Sequence, residues 1–197
     1  RRGPMAVPES GTEVFAMDQS DGTEPSFDSG FPVDFAIRRT YSAAYTLAQA
    51  RLTGATRMAT NVTDAEASDT SNTWDHMEGW SAESNTSYYS WMWKRASGYF
   101  DVVAYLGDSP GGIGVQTLSH NLGVAPEMIW FKSRDSTSGW GVLATALGTV
   151  DSGGTEVGQG AYVNEDSQFN ASGWWGAPYV APTDTTFTVR GSTPNAS

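Results

Sequence analysis

The chain has no cysteine in 197 residues. Disulfide staples, thiolate nucleophiles and cysteine-ligated zinc sites are excluded at once. The absence leans towards assembly in a reducing cytosol, because secreted domains of this size usually carry disulfides. Positive charge is scarce as well: 11 Lys and Arg stand against 22 Asp and Glu, a formal net charge of −11. The basic pairs are Arg1-Arg2, Arg38-Arg39 and Lys94-Arg95. They are too few and too scattered to displace counterions from phosphates, so no nucleic acid and no anionic membrane is expected as a partner. The acidity itself reads as solubility and weak self-repulsion. No run of about 18 apolar residues exists to span a membrane. A signal-peptide pattern is missing too, and the start at Arg1 rather than Met leaves open a processed N-terminus or a piece of something longer. Helical periodicity is nearly absent: only Tyr41 to Leu52 has it, through Tyr41, Ala44, Tyr45, Ala48 and Leu52.

What the chain has in quantity is aromatic residues, 8 Trp, 8 Tyr and 8 Phe, which argue for a packed core rather than disorder. It also says nearly the same thing twice. Tyr99 to Tyr105 followed by Asn121 to Arg134 has a fainter counterpart in Glu13 to Met17 followed by Ser29 to Arg39. A unit of roughly 80 to 100 residues is too long for a solenoid repeat and reads as a tandem of β modules. Strands are predicted at Phe31 to Ile37, Ser87 to Arg95, Tyr99 to Leu106, Val115 to Leu118, Met128 to Lys132, Trp140 to Leu143, Gly160 to Asn164 and Thr185 to Arg190. Turn clusters lie between them, including Gly107 to Gly112.

The predicted fold class is therefore all-β, with two tandem antiparallel β-sandwich modules of jelly-roll or concanavalin-like type and little helix. Residues 1–12 read as an extended N-terminal arm, 13–97 as the first module and 98–197 as the second. The second module looks short of the aromatic strand that closes the first at Tyr88 to Trp93. A truncated sequence or a strand donated by another chain would account for that.

Certain strings carry a family resemblance: Trp91-Met-Trp-Lys-Arg-Ala96, Gly98 to Tyr105, His120 to Met128, Lys132 to Asp135 and Trp140-Gly-Val142. Together they resemble a repeat of tailed-bacteriophage virion proteins, in modules of tail-fibre or capsid-associated proteins of marine and cyanobacterial phages. The second half of the chain matches along most of its length. The first half matches only at Pro32 to Phe35, Arg51 to Gly54 and the 88–95 strand. The resemblance implies a virion component assembled in the host cytoplasm, with other virion proteins as partners and homo-oligomerisation expected. It leaves head or tail open, and its residues are turn formers and core aromatics that say little about activity.

Several side-chain groups invite a chemical reading. Asp64, Glu66 and Asp69 bring three carboxylates together, but Thr, Asn and Ser flank them, so they read as a solvated loop rather than a glycosidase pair. Trp74, Asp75, His76, Glu78 and Trp80 combine aromatic faces with carboxylates, a set suited to sugar stacking or metal ligation; a turn pinned by two buried Trp is the plainer reading. Trp174, Trp175 and Tyr179 form the best surface candidate, although core packing of both Trp is the plainer reading. If the two Trp lie in a strand, one points inward and the other outward. His120 reads as a turn residue bonded to nearby backbone. Asp18 to Gly22 falls short of a calcium loop, and Gly111 to Gly114 lacks the Lys-Ser/Thr of a phosphate loop.

No catalytic residue, metal site or cofactor is assigned, and the chain is not expected to be an enzyme. The leading expectation is a structural virion protein, a fibre or head-decoration component acting through protein–protein assembly. The alternative is a lectin-like module that recognises host surface polysaccharide through Trp74, Asp75, His76, Trp80, Trp174, Trp175 and Tyr179. A depolymerase would need a carboxylate pair that the sequence does not place.

Overall fold

The computed structural model describes residues 7–42, 45–82, 85–108, 114–166 and 168–190. Parts of the expected N-terminal arm, of the Gly107 to Gly112 turn, of Gly111 to Gly114 and of the 41–52 segment lie outside them. Among the described residues every strand pairing is antiparallel and the only helical pieces are short 3-10 turns. The all-β expectation holds. The chain forms two compact units, one of Arg1–Ala59 with Ala67–Val102, the other of Thr60–Glu66 with Val103–Ser197. The division thus falls later than 97, and a short upstream segment belongs with the second half. Hydrogen bonds explain that assignment: Glu66 N–H donates to Arg134 O (2.7 Å) and Ser138 N–H to Thr63 O (2.9 Å).

The first unit contains β1 (Phe15–Gln19), β2 (Phe27–Asp28), β3 (Phe35–Thr40), β4 (Leu47–Ala50), β5 (Thr56–Ala59), β6 (Ala67–Ser68), β7 (Gly79–Trp80) and β8 (Tyr88–Trp93). Its main sheet runs β1-β8-β3-β4-β5-β6, and β2 pairs with β7 as a separate ribbon. Of the 41–52 segment, singled out by its helical periodicity, the described residues include β4 followed by a 3-10 turn at Arg51–Thr53. The small ribbon supplies two of the largest core side chains, Phe27 and Trp80. Trp80 stacks between Phe27 (5.5 Å) and Trp74 (4.8 Å) and packs with Phe31, Val33, Ala36 and Met92. Ser90 on β8 makes room for this large indole and accepts its Nε1–H at 3.0 Å.

Beside Ser90 in the sheet lies Arg38, fully buried. Its Nη2 donates to Asp69 Oδ2 (2.7 Å) and its Nε to Gln49 Oε1 (2.9 Å), while Gln49 Nε2 donates to the same Asp69 oxygen (3.2 Å). The other Asp69 oxygen accepts from Ser71 Oγ (2.6 Å) and Ser71 N–H (3.3 Å). The Tyr88 ring covers the guanidinium at 5.2 Å. This network ties β3 and β4 to the loop that leads into Trp74. The 61–71 segment is therefore not the solvated loop its composition suggests, because Asp69 is drawn inside by a buried cation.

The second unit contains β9 (Val115–Ser119), β10 (Met128–Phe131), β11 (Gly141–Ala144), β12 (Thr149–Asp151), β13 (Glu156–Tyr162), β14 (Asn170–Ser172) and β15 (Thr186–Arg190). One sheet runs β10-β11-β13-β12 with β14 also on β13, and β15 pairs with β9. Tyr99 to Leu106 is not the strand expected there: only a bridge between Ala96 and Phe100 forms, and 101–108 has no regular structure. Part of the first unit's geometry recurs. After β4 the chain makes a 3-10 turn and a positive-φ Gly54; after β11 it makes a 3-10 turn at Thr145–Leu147 and a positive-φ Gly148. Glycine is required at both places, since the left-handed region is costly for any residue with a Cβ. The turns are anchored alike, Arg51 N–H to Asp34 O and Thr145 N–H to Glu127 O, both 2.9 Å.

A strand does stand where β8 stands in the first unit. β15 pairs Thr186 with Ser119 as β8 pairs Tyr89 with Gln19, and the next bonds match, His120 N–H to Thr185 O and Ser20 N–H to Tyr88 O. The expected loss of the last strand is corrected on this point. This is the strand predicted at Thr185 to Arg190, and its likeness to β8 is hidden in the sequence because Thr186-Phe-Thr-Val-Arg190 lacks the Trp and Tyr density of β8. What has no counterpart among the described residues is the pairing of β8 to β3, because β15 pairs with β9 alone.

Two outcomes follow. Asp69→Ala leaves Arg38 buried without its carboxylate and should lower the stability of the first unit by about 3–5 kcal/mol, measured by denaturant unfolding with hydrogen exchange read separately for each unit. Unchanged protection of β3 and β4 would contradict the network's role. Burial pushes the Tyr105 hydroxyl up to about 12 from 10.0. The neutral phenol is favoured in the fold, so this stability is complete below the unfolded value and is lost as pH rises through the folded one. In an ultraviolet titration, a phenolate signal missing in Tyr105→Phe should appear near the folded value.

Candidate functional site

Trp74 and Trp80 are held by the core just described. Trp80 is fully buried and Trp74 nearly so, each covering a face of the other. Neither ring is free to stack on a sugar. Asp75 is exposed, whereas His76 turns back into the unit, with Nε2 3.3 Å from both Thr73 Oγ1 and Glu24 Oε2. Glu24 Oε2 also accepts from Ser81 Oγ. Glu78 contributes its backbone carbonyl, which accepts from Ser29 and Gly30 N–H (2.8 and 3.1 Å). The structure brings His76 to Glu24 rather than to Asp75 and Glu78. Among the described residues no group of three or more His, Cys, Asp or Glu could hold a metal ion.

Trp174 and Trp175 sit in a 3-10 turn, Gly173–Trp175, not in a strand. The strand rule of opposite faces therefore fails, and both indoles meet Phe131 edge-on at 5.3 Å, with Trp174 also 4.7 Å from Tyr162. Trp175 is buried with Leu118, Leu143 and Val189. The Phe131 ring sits against Gly141, at a spot where a Cβ would collide with it. Tyr179 packs over Gly158, and desolvation raises its hydroxyl pKa. Trp175 is thus a core residue, with Trp174 and Tyr179 packed half-buried against the same cluster.

The three carboxylates of 64–69 go to different places. Asp69 holds Arg38. Glu66 receives both Nε and Nη2 of Arg134, at 2.9 and 2.7 Å, which raises the arginine's pKa. Asp64 raises the pKa of Lys132 against a larger lowering by desolvation, while Lys132 Nζ donates to Ser133 O (2.7 Å) and Ser136 O (3.2 Å). His120 is buried, its Nδ1 accepting from Leu122 N–H and its Nε2 facing Thr183 O, both at 3.2 Å. That is the backbone-bonded turn histidine read from the sequence.

Sequence reasoning missed the surface that the fold does expose. In register across the first sheet, Phe15, Trp93 and Phe35 form one row, and Met17, Trp91, Ile37 and Met58 another with the buried Ala48 among them, both on the face opposite the core. Phe15, Phe35 and Phe100 surround Trp93 at 5.1 to 5.9 Å. Met17 remains 61% exposed, Phe15 40% and Tyr89 38%. The signal was present in β8: Tyr89, Trp91 and Trp93 alternate with the smaller Ser90 and Met92. Such a pattern is easily read backwards, because the larger residues are expected inside. At the end of this face a shallow depression is lined by Asp34, Arg51, Leu52 and Arg95. Its charges are already matched, Arg51 with Asp34 and Arg95 with Asp101.

Trp80→Ala is expected to cost about 3–5 kcal/mol as a core truncation. Met17→Ser should be nearly neutral, within about 0.5 kcal/mol. Equal effects of the two on thermal unfolding would contradict the assignment of inner and outer faces. Comparisons of the chain with family models, with curated proteins and with solved structures return no match.

Proposed function

We propose that the chain is a structural component of a bacteriophage virion, a fibre or head-decoration protein that works through protein–protein assembly. The observation that carries the reading is the outward apolar face of the first unit, where Phe15, Met17 and Tyr89 stand exposed on strands that are otherwise firmly held. Contiguous exposed apolar side chains on a rigid sheet favour a macromolecular partner. The resemblance of Gly98 to Tyr105, His120 to Met128 and Trp140 to Val142 to virion repeats supplies the setting. Glu66 and Asp69 serve as loop staples, which supports a scaffolding role. A lectin-like role would draw on Trp74, Trp80, Trp174 and Trp175, whose rings are engaged in the two cores.

Particles of the phage that encodes this chain should contain it in stoichiometric amount by peptide mass spectrometry after density-gradient purification. Immunogold labelling should place it on the head or on the tail. Recovery of the chain only from the particle-free fraction would overturn the proposal.

A further inference from the structure

The chain has two histidines, His76 in the first unit and His120 in the second, and their rings are held in opposite senses. His120 is 6% exposed and joins the turn after β9 to the turn before β15. A backbone N–H can only donate, so the 3.2 Å contact from Leu122 N–H leaves Nδ1 without a proton. The proton of the neutral ring is then on Nε2, which donates to Thr183 O at 3.2 Å. His120 N–H also donates to Thr185 O (2.8 Å), and the Thr183 hydroxyl accepts from Thr185 and Thr186 N–H (3.2 and 2.9 Å). The ionisable groups of the surrounding elements are turned elsewhere. Asp184 is exposed, with Oδ1 accepting from Thr185 Oγ1 (3.4 Å), and Glu127, the only ionisable residue of 121–127, is exposed as well. β9 has none, and Arg190 at the far end of β15 donates to Ala177 O (3.2 Å). Among the described residues no carboxylate forms an ion pair with His120.

We infer that His120 is an acid-released latch: a proton on Nδ1 breaks its bond to Leu122 and frees the 121–123 turn, while Nε2–H keeps its hold on Thr183. A protonated Nδ1 faces the Leu122 N–H donor against donor, so one of the two must turn away. The release is one-sided, because an imidazolium is a stronger donor to the Thr183 carbonyl than the neutral ring. The β9–β15 pairing is thus retained. The freed stretch is the one that leads through Gly123 and the exposed Val124 to β10. Little nearby offsets the positive charge, since the Phe187 ring at 6.2 Å stands at the outer limit of a cation–π contact. The Leu122 bond contributes fully while the ring is neutral and is lost as pH falls through its protonation. His76 has the opposite sense. Its Nε2 is 3.3 Å from Glu24 Oε2, so a proton there gains an ion pair instead of breaking a bond.

The test is a nuclear magnetic resonance titration of the full chain from about pH 8 to about pH 5, the range in which histidine changes charge. Ring nitrogen shifts give the tautomer and charge of each histidine, and amide exchange, corrected for its intrinsic pH dependence, gives local protection. At the alkaline end His120 should be the Nε2–H tautomer with the Leu122 amide protected. As the ring takes up a proton, Leu122 protection should fall about tenfold, the scale of one lost buried hydrogen bond, while the β9 and β15 amides hold theirs. His120→Asn offers Leu122 a carboxamide oxygen that does not titrate, and should remove the pH dependence. The Nδ1–H tautomer at neutral pH overturns the inference, as does Leu122 protection that survives protonation of the ring. So does a ring still neutral at about pH 5, or a His120→Asn chain that keeps the wild-type response.

Discussion

Arg38 is the residue on which the first unit turns, since its charge sits at zero exposure in the middle of a β-sheet. A buried guanidinium is tolerated only where a carboxylate and neutral acceptors replace the water it has lost. Asp69 and Gln49 do this, and in doing so they fix where the 69–72 loop meets the sheet. From that point the chain has only a few residues to reach Trp74 and Trp80, whose indoles complete the apolar half of the same inner face. Polar and apolar halves are joined at Ser90, which lies beside Arg38 in register and accepts the Trp80 N–H. A hydrophobic residue at 38 could fill the volume, but it would leave the loop without a specified docking point.

Among its described residues the second unit solves the corresponding problem without a buried Asp, Glu, Lys or Arg. At the place on β10 that Arg38 occupies on β3, it has Phe131, laid over Gly141 and flanked by Trp174 and Trp175. Strand glycines are usually a weakness, having no side chain to pack. Here a ring from the neighbouring strand covers the bare backbone. The ion pairs of this unit, Arg134 with Glu66 above all, sit at its surface and fasten the 60–66 segment.

How much of this was legible in the sequence varied with the range of the forces involved. Strand positions set by local composition, such as Tyr88–Trp93 and Met128–Phe131, were readable from β-formers bounded by turn residues. Tyr99 to Leu106 had the same composition and forms no strand, because pairing partners rather than propensity decide a strand. Which face is inner was not readable in β8, where the inward space had already been taken by Trp80 from a distant ribbon. The carboxylates of 64–69 looked solvated because each cation partner, Arg38 or Arg134, is remote in sequence. Adjacent Trp174 and Trp175 looked like one core and one surface residue only under the assumption of a strand.

The chain forms two all-β units whose buried polar and aromatic groups are spent on internal order, and whose exposed apolar side chains include Phe15, Met17 and Tyr89 on one sheet face beside loop positions such as Tyr41, Met77 and Leu106. Rigid sheets with unsatisfied edges and uncovered aromatic rows are suited to being built into something larger. The most direct test of the proposed virion role is a high-resolution reconstruction of particles of the phage that encodes this chain. The account predicts that the Phe15, Met17 and Tyr89 face is covered there by another polypeptide. A particle in which that face lies bare to solvent, or is covered by carbohydrate alone, would contradict it.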